Sequence, residues 1–172
     1  MTEPCFMVSY PSRFGTLQLV SDGEALTGLL LPSQLSAQEQ SSNSGAPLDV
    51  LQEACRQLQA FFEGKLQTFD LPLAPRVGTD FQRQVWSELR RVPFGTTISY
   101  SQLAAQVERP SAVRAVGAAN GRNPIPIIVP CHRVIGSDGS LTGYAGGVKL
   151  KQSLLDHEAS CTLQRTRAAM AS

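Results

Sequence analysis

Cys131, His132 and Arg133 set a thiol, an imidazole and a guanidinium side by side, directly after the apolar run 125–129 and Pro130. A cysteine attacks as its thiolate, and an ordinary thiol with a pKa of about 8.5 is little ionised at neutral pH. A base within hydrogen-bond or one-water reach can take the proton, and a carboxylate behind that base fixes its tautomer and stabilises the imidazolium. Glu158, in the dipeptide His157-Glu158, is placed to supply the carboxylate. Such a pattern can hold a sulfur poised in ionised form, with an imidazole and an acid behind it. Adjacent residues of an extended strand face opposite ways, so Cys131 and His132 meet only through a bridging water or a helical turn after Pro130. A core cysteine beside a merely hydrogen-bonded histidine fits the same residues.

Other chemistries have less support. The four cysteines, Cys5, Cys55, Cys131 and Cys161, form no Cys-x-x-Cys pair, so neither a disulfide framework nor a zinc knuckle is expected. Cys131, His132, His157 and Glu158 do not have metal-motif spacing, and no metal is predicted. No stretch reaches the roughly 18 apolar residues of a membrane span. The opening Met-Thr-Glu-Pro-Cys lacks the features of a signal peptide. A protein in the cytoplasm, with no membrane partner, is expected.

The elements that must position these residues fall into two halves. With 172 residues, 42% of them hydrophobic, the chain can bury a core as one domain or two small ones. Residues 1–78 carry four Lys/Arg against eight Asp/Glu, net −4, whereas residues 79–172 carry eleven against six, net +5. The second half is the better candidate for meeting a polyanion.

Three short strands, 5–10, 16–21 and 25–31, are separated by turn residues, and the Ser/Gln-rich stretch 32–46 reads as a mobile connecting loop. Leu48, Leu51, Cys55, Leu58, Phe61 and Phe62 have helical spacing up to a stop at Gly64, with Cys55 a packed thiol. Residues 72–79, with two prolines and a glycine, read as the link between halves.

Capping boxes at Thr79/Gln82 and Ser99/Gln102 start two helices. The second of these, a break at 108–110 and the run 111–121 together have the length of a helix-turn-helix, although alanine-rich helix pairs also serve as plain packing units. An apolar strand over 125–129, a turn at 137–140, a flexible "TGYAGG" and a last helix over about 148–158 follow. The end reads as a frayed tail with an incidental Cys161.

The blocks "ISYSQLAAQ", "VRAVGAANG", "NPIPIIVPCHRVIG", "GYAGG" and "LLDHE" occur in this order between Thr79 and Glu158. In them the chain resembles the methylated-DNA–protein-cysteine methyltransferases, the O6-alkylguanine-DNA alkyltransferases. The resemblance implies an α+β fold: a small N-terminal antiparallel sheet with a helix, ribonuclease H-like, then a mostly helical, winged-helix-like domain carrying the helix-turn-helix. It implies a support domain at 1–75, a DNA-binding alkyltransferase domain at 76–160 and a flexible tail at 161–172.

The same resemblance implies a function. Cys131 would accept an alkyl group from O6 of guanine in DNA, with O4 of thymine a further candidate, in one irreversible step that spends the protein. His132 would act through a water as base, Glu158 would orient it, and Asn123 would tie the helix pair to the cysteine segment. Tyr100 would approach the guanine N3 edge and its phosphate, offering a proton. The carbonyls of Cys131 and Val134 would read the exocyclic amine, and amides near Tyr144 and Ala145 would face O6. Pro126 would line the same pocket. A guanine inside a duplex cannot reach a buried thiol, so the nucleotide must be flipped out. Arg114 would fill the space it leaves, and Ala115, Gly117 and Ala118 would let the second helix approach the minor groove. A double-stranded DNA partner, a monomer and no cofactor are implied.

Some positions depart from the family pattern. Ala145 stands where some members have serine, Ser153 where an aromatic residue is frequent, and Ala159 where glycine is usual. The competing readings are a lesion-binding protein without an acceptor thiol, against which Cys131 argues, and a DNA-binding regulator with a sensor thiol.

Overall fold

The computed structural model describes residues 5–36 and 48–172. The first strands form an antiparallel meander. β1 (Phe6–Ser12) pairs with β2 (Gly15–Ser21), and β2 pairs with β3 (Leu26–Leu30). Ser12 closes the first turn by donating Oγ–H to the Gly15 carbonyl at 2.6 Å while accepting the Phe14 amide at 3.1 Å. Asp22 shapes the second by accepting the Glu24 and Ala25 amides, each at 2.9 Å.

Helix α1 (Asp49–Phe62) packs on β2. It buries Leu51, Ala54, Leu58 and Phe61, together with Gln57, whose side-chain amide brackets Asp70 by bonding both its N–H and its carbonyl at 2.8 Å. Cys55 is half-buried at the margin of that stripe, and burial raises its pKa. The loop expected over 32–46 begins with a 3-10 turn, Pro32–Gln34, and its remainder lies outside the described residues.

The chain divides into two units. The first comprises Met1–Gly78 with Pro124–Ile128, and the second Thr79–Asn123 with Val129–Ser172. Within the first, the amide of Leu29 donates to the Pro124 carbonyl at 2.9 Å, so 124–128 lies beside β3.

The strand expected over 125–129 is not one. The segment turns at Ile127, which has φ 73°, and Pro124 and Pro126 have no N–H to donate to a ladder. Burial of Ile125, Ile127, Ile128 and Val129 explains why the run reads as a strand: apolarity marks the interior and not the backbone conformation.

In the second unit both capping boxes form. Thr79 opens α2 (Asp80–Leu89) and Ser99 opens α3 (Tyr100–Gln106), each side chain accepting the N3 amide while the N3 glutamine returns to the cap amide. β4 (Ile98–Ser99), just ahead of α3, pairs in parallel with β5 (Val134–Ile135). α4 (Val113–Gly121) follows α3 after a turn containing Glu108 at φ 58°. Leu103, Ala104, Val116 and Ala119 join α3 and α4 to Val85, Trp86 and Leu89 of α2 in one core. The Trp86 indole donates to the Ala119 carbonyl at 2.8 Å, fastening α2 to α4.

Helix α5 (Val148–Met170) runs well past the expected end at 158. The residues foreseen as a flexible tail are helical through Met170, and the correction extends to Cys161. That residue is buried, with its sulfur 3.7 Å from His157 Nδ1, while every later residue is exposed. With only Cys161 on its inner side, the extension has no apolar stripe to read. No helix among the described residues is long and apolar enough to cross a membrane.

Candidate active site

Cys131 opens a 3-10 turn, Cys131–Arg133, immediately after Pro130. A helical turn at this point rotates successive side chains by about 120° instead of alternating them. Cys131, His132 and Arg133 are all buried, and His132 is fully so.

The turn points His132 at α5. Its Nε2 lies 2.7 Å from Glu158 Oε1, whereas its Nδ1 has no hydrogen-bond partner among the described residues. Glu158 is held from three further directions. Arg133 Nε bonds both carboxylate oxygens at 3.1 and 3.0 Å, Arg133 Nη2 bonds Oε1 at 2.9 Å, and the Gly95 amide donates to Oε2 at 2.9 Å. Arg133 also donates Nη1–H to the Val92 carbonyl at 2.7 Å, which ties the turn after α2 to the same cluster. Gly95 has φ 76°, and a Cβ there would collide with Thr162 Oγ1, so this close amide approach requires glycine.

The electrostatics follow from these partners. Burial alone would raise the Glu158 pKa, but His132 and Arg133 outweigh it and hold the carboxyl at about 2. Burial lowers the pKa of His132 against the opposing pull of Glu158, so the ring is neutral at pH 7. Burial pushes the Cys131 thiol up to about 11, opposed by Asn123, which bonds the sulfur, and by the charge of Lys151. Burial therefore works against the ionised sulfur expected from the sequence, and Asn123 and Lys151 oppose it only in part.

Asn123 donates Nδ2–H to the Val129 carbonyl at 2.8 Å, joining the end of the helix pair to the segment before the cysteine. Tyr100, the first residue of α3, donates its hydroxyl to the Thr142 carbonyl at 3.1 Å, and Gly143 lies against that hydroxyl. Val134 is buried, and its carbonyl accepts the Lys151 ammonium at 2.5 Å. Tyr144 is buried with its hydroxyl unpartnered among the described residues, and its raised pKa comes from burial and then from the charge of Cys131. Ala145 sits in the exposed part of the same loop. Pro126 lies in the segment grouped with the first unit.

On α4, Arg114, Ala115 and Ala118 are exposed and Gly117 is half-buried against the Tyr100 ring. Internal packing therefore does not explain the small size of Ala115 and Ala118.

Sequence reasoning missed four participants. Asn120 donates to the Cys131 carbonyl at 3.3 Å, Arg133 and the Gly95 amide secure Glu158, and Lys151 is fully buried. Arg133 had a signal in its place beside the Cys-His pair. The others are brought in by folding alone. Asn120 Oδ1, His132 Nδ1 and Tyr144 Oη are the buried side-chain polar atoms left without a partner among the described residues, and all three belong to residues near Cys131. Buried polar atoms are normally satisfied by protein groups or by ordered water, so these three atoms are available to a water or a polar ligand.

Comparison with known proteins matches the chain in two stretches. Residues 6–75 match the family described as 6-O-methylguanine DNA methyltransferase, ribonuclease-like domain, and residues 80–160 match its DNA binding domain. A methylated-DNA–protein-cysteine methyltransferase of Methanosarcina barkeri is 59% identical over 106 residues, which span 62% of this chain and 66% of that protein. The protein of the same name from Mycobacterium tuberculosis is 47% identical over 149 residues, covering 87% of this chain and 89% of its own. A crystal structure of the M. tuberculosis protein in complex with DNA superposes with a TM-score of 0.79 at 47% identity, covering 89% of this chain and 92% of that one.

Proposed function

Since the chain belongs to the methylated-DNA–protein-cysteine methyltransferases, we propose that it repairs double-stranded DNA by moving an alkyl group from O6 of guanine onto Cys131, once per molecule. The observation that carries the proposal is the His132 ring: one nitrogen is fixed on a clamped carboxylate and the other is buried, unpartnered and adjacent in the chain to the thiol.

The chemistry runs as a displacement. A water carries the Cys131 proton to His132 Nδ1, and the imidazolium that forms is stabilised by Glu158, which stays ionised because Arg133 and Gly95 also hold it. The sulfur attacks the alkyl carbon as the bond from that carbon to O6 breaks. The electron pair passes into the purine, and Tyr100 gives its hydroxyl proton to N3. No step regenerates the thiol, so the thioether is the end state. The same displacement applies to an alkyl group on O4 of thymine.

The pocket for the flipped base is built from the carbonyls of Cys131 and Val134 toward the exocyclic amine and the amides at Tyr144 and Ala145 toward O6. Asn123 couples this pocket to the helix pair. α4 enters the minor groove with Arg114 in the place of the extruded base, and Ala115, Gly117 and Ala118 allow the close approach. Residues 76–160 form the working domain, residues 1–75 support it, and the protein acts as a monomer.

Incubation with duplex DNA containing O6-methylguanine, followed by intact-mass and peptide analysis, tests the proposal. One methyl group per protein on the Cys131 peptide is expected. Tight lesion binding with unchanged mass would instead make this a recognition protein and defeat the transfer mechanism.

A further inference from the structure

Lys151 is fully buried, yet none of its three hydrogen-bond partners is an anion. Its ammonium donates to the Val134 carbonyl at 2.5 Å, to the Thr142 carbonyl at 3.0 Å and to the Tyr100 hydroxyl at 3.5 Å, and it lies 5.7 Å from the centre of the Tyr100 ring. An ammonium has three N–H donors, and all three are used. A buried cation without a counter-ion is costly and is retained where it does something that an apolar residue cannot.

The three partners share one feature. Val134 is on β5, Thr142 is in the loop that leads to Tyr144 and Ala145, and Tyr100 begins α3. In the proposed pocket these segments face three different edges of the base: the exocyclic amine, O6 and N3. Resting on that reading, we propose that Lys151 is a positioning residue for base recognition, whose ammonium fixes the Val134 carbonyl so that its remaining lone pair meets the guanine amine. A carbonyl oxygen has two lone pairs, so the ammonium and the amine can be accepted together. The ammonium also withdraws charge from that carbonyl and favours negative charge on the Cys131 sulfur, whose pKa it lowers against the larger effect of burial.

The test compares single-turnover transfer from O6-methylguanine and from its analogue without the exocyclic amine, O6-methylhypoxanthine, in the same duplex. The unsubstituted protein should prefer the guanine by about tenfold or more, because a polar site left unpaired by the analogue penalises it. In Lys151→Met the preference should fall toward unity, and Lys151→Arg should restore part of it. Equal slowing of both substrates by Lys151→Met, with the preference intact, is what a purely structural lysine gives and overturns the proposal. No preference in the unsubstituted protein would refute the reading of the Val134 carbonyl itself, a separate failure. Should the variants not fold, carbon NMR of the unsubstituted protein decides: the Val134 carbonyl shift should move as the Lys151 ammonium loses its proton, and an indifferent shift removes the clamp.

Discussion

Helices α4 and α5 belong to the same unit, and Lys151 and Glu158 of α5 are treated in the opposite way to Arg114 of α4. α5 withdraws Lys151 and Glu158 from water and surrounds each with oriented partners, while α4 leaves Arg114 in solvent beside Ala115 and Ala118. The difference separates two kinds of work. A buried charge has its state set by fixed neighbours, so its effect is felt in the protonation of the site and in stability. An exposed charge on a face of small residues acts when something arrives, and its effect is felt in association and in salt dependence.

The contrast has meaning only if the buried side serves Cys131, and the largest expected effect is there. Cys131→Ala should abolish methyl transfer in the intact-mass assay while leaving DNA affinity in a gel-shift titration within about threefold, a difference of less than roughly 0.7 kcal/mol. Transfer to another residue of that variant would dissolve the comparison.

Next comes Glu158→Gln. This change leaves Arg133 buried without its anion, and breaking such a pair costs about 3–5 kcal/mol in urea denaturation. An effect under about 1 kcal/mol would mean that the cluster is not a closed electrostatic unit.

Acid should expose the same cluster gradually. Both His132 and Glu158 have folded pKa values below their usual ones, so the unfolded chain binds protons more readily and stability falls as pH falls. The His132 contribution is present above about pH 6.5 and declines below it. That of Glu158 is present above its ordinary carboxyl range and is lost as pH drops toward about 2. Denaturation midpoints from pH 7 to pH 3 should decline monotonically, and more shallowly below pH 5 in Glu158→Gln.

The exposed side gives the smallest effect on the fold and a selective one on function. Arg114→Ala should change stability by less than about 0.5 kcal/mol. It should slow transfer from duplex DNA about tenfold or more while leaving the free alkylated base unaffected, and it should reduce the slope of log affinity against log salt by about one. Equal loss on duplex and free base would place Arg114 with the buried class.

Much of this could be read before folding. Thr79 with Gln82 and Ser99 with Gln102 announced two helix starts because a capping box is complete within four residues, and those starts place Tyr100 and lead into the helix pair. The Cys-His pair and Glu158 were legible because their chemistry requires one another. What escaped depends on neighbours distant in sequence. The Gly95 amide reaches Glu158 across 63 residues, and Lys151 reaches Tyr100 across 51. Lysine also reads as a surface residue by its usual distribution. The false strand over 125–129 and the undetected end of α5 share a cause: hydrophobic pattern reports burial, and there the backbone conformation was set by proline chemistry in one case and by helix propagation without burial in the other.

The chain has a single tryptophan, and its indole N–H is bonded to the Ala119 carbonyl of α4. Indole emission shifts with the polarity around the ring and with its hydrogen bond, so this side chain is an intrinsic optical gauge of α4. On the proposed function, any displacement of α4 as DNA binds would be recorded as a change in fluorescence, and stopped-flow spectroscopy of the unlabelled protein could time it apart from the proposed transfer to Cys131.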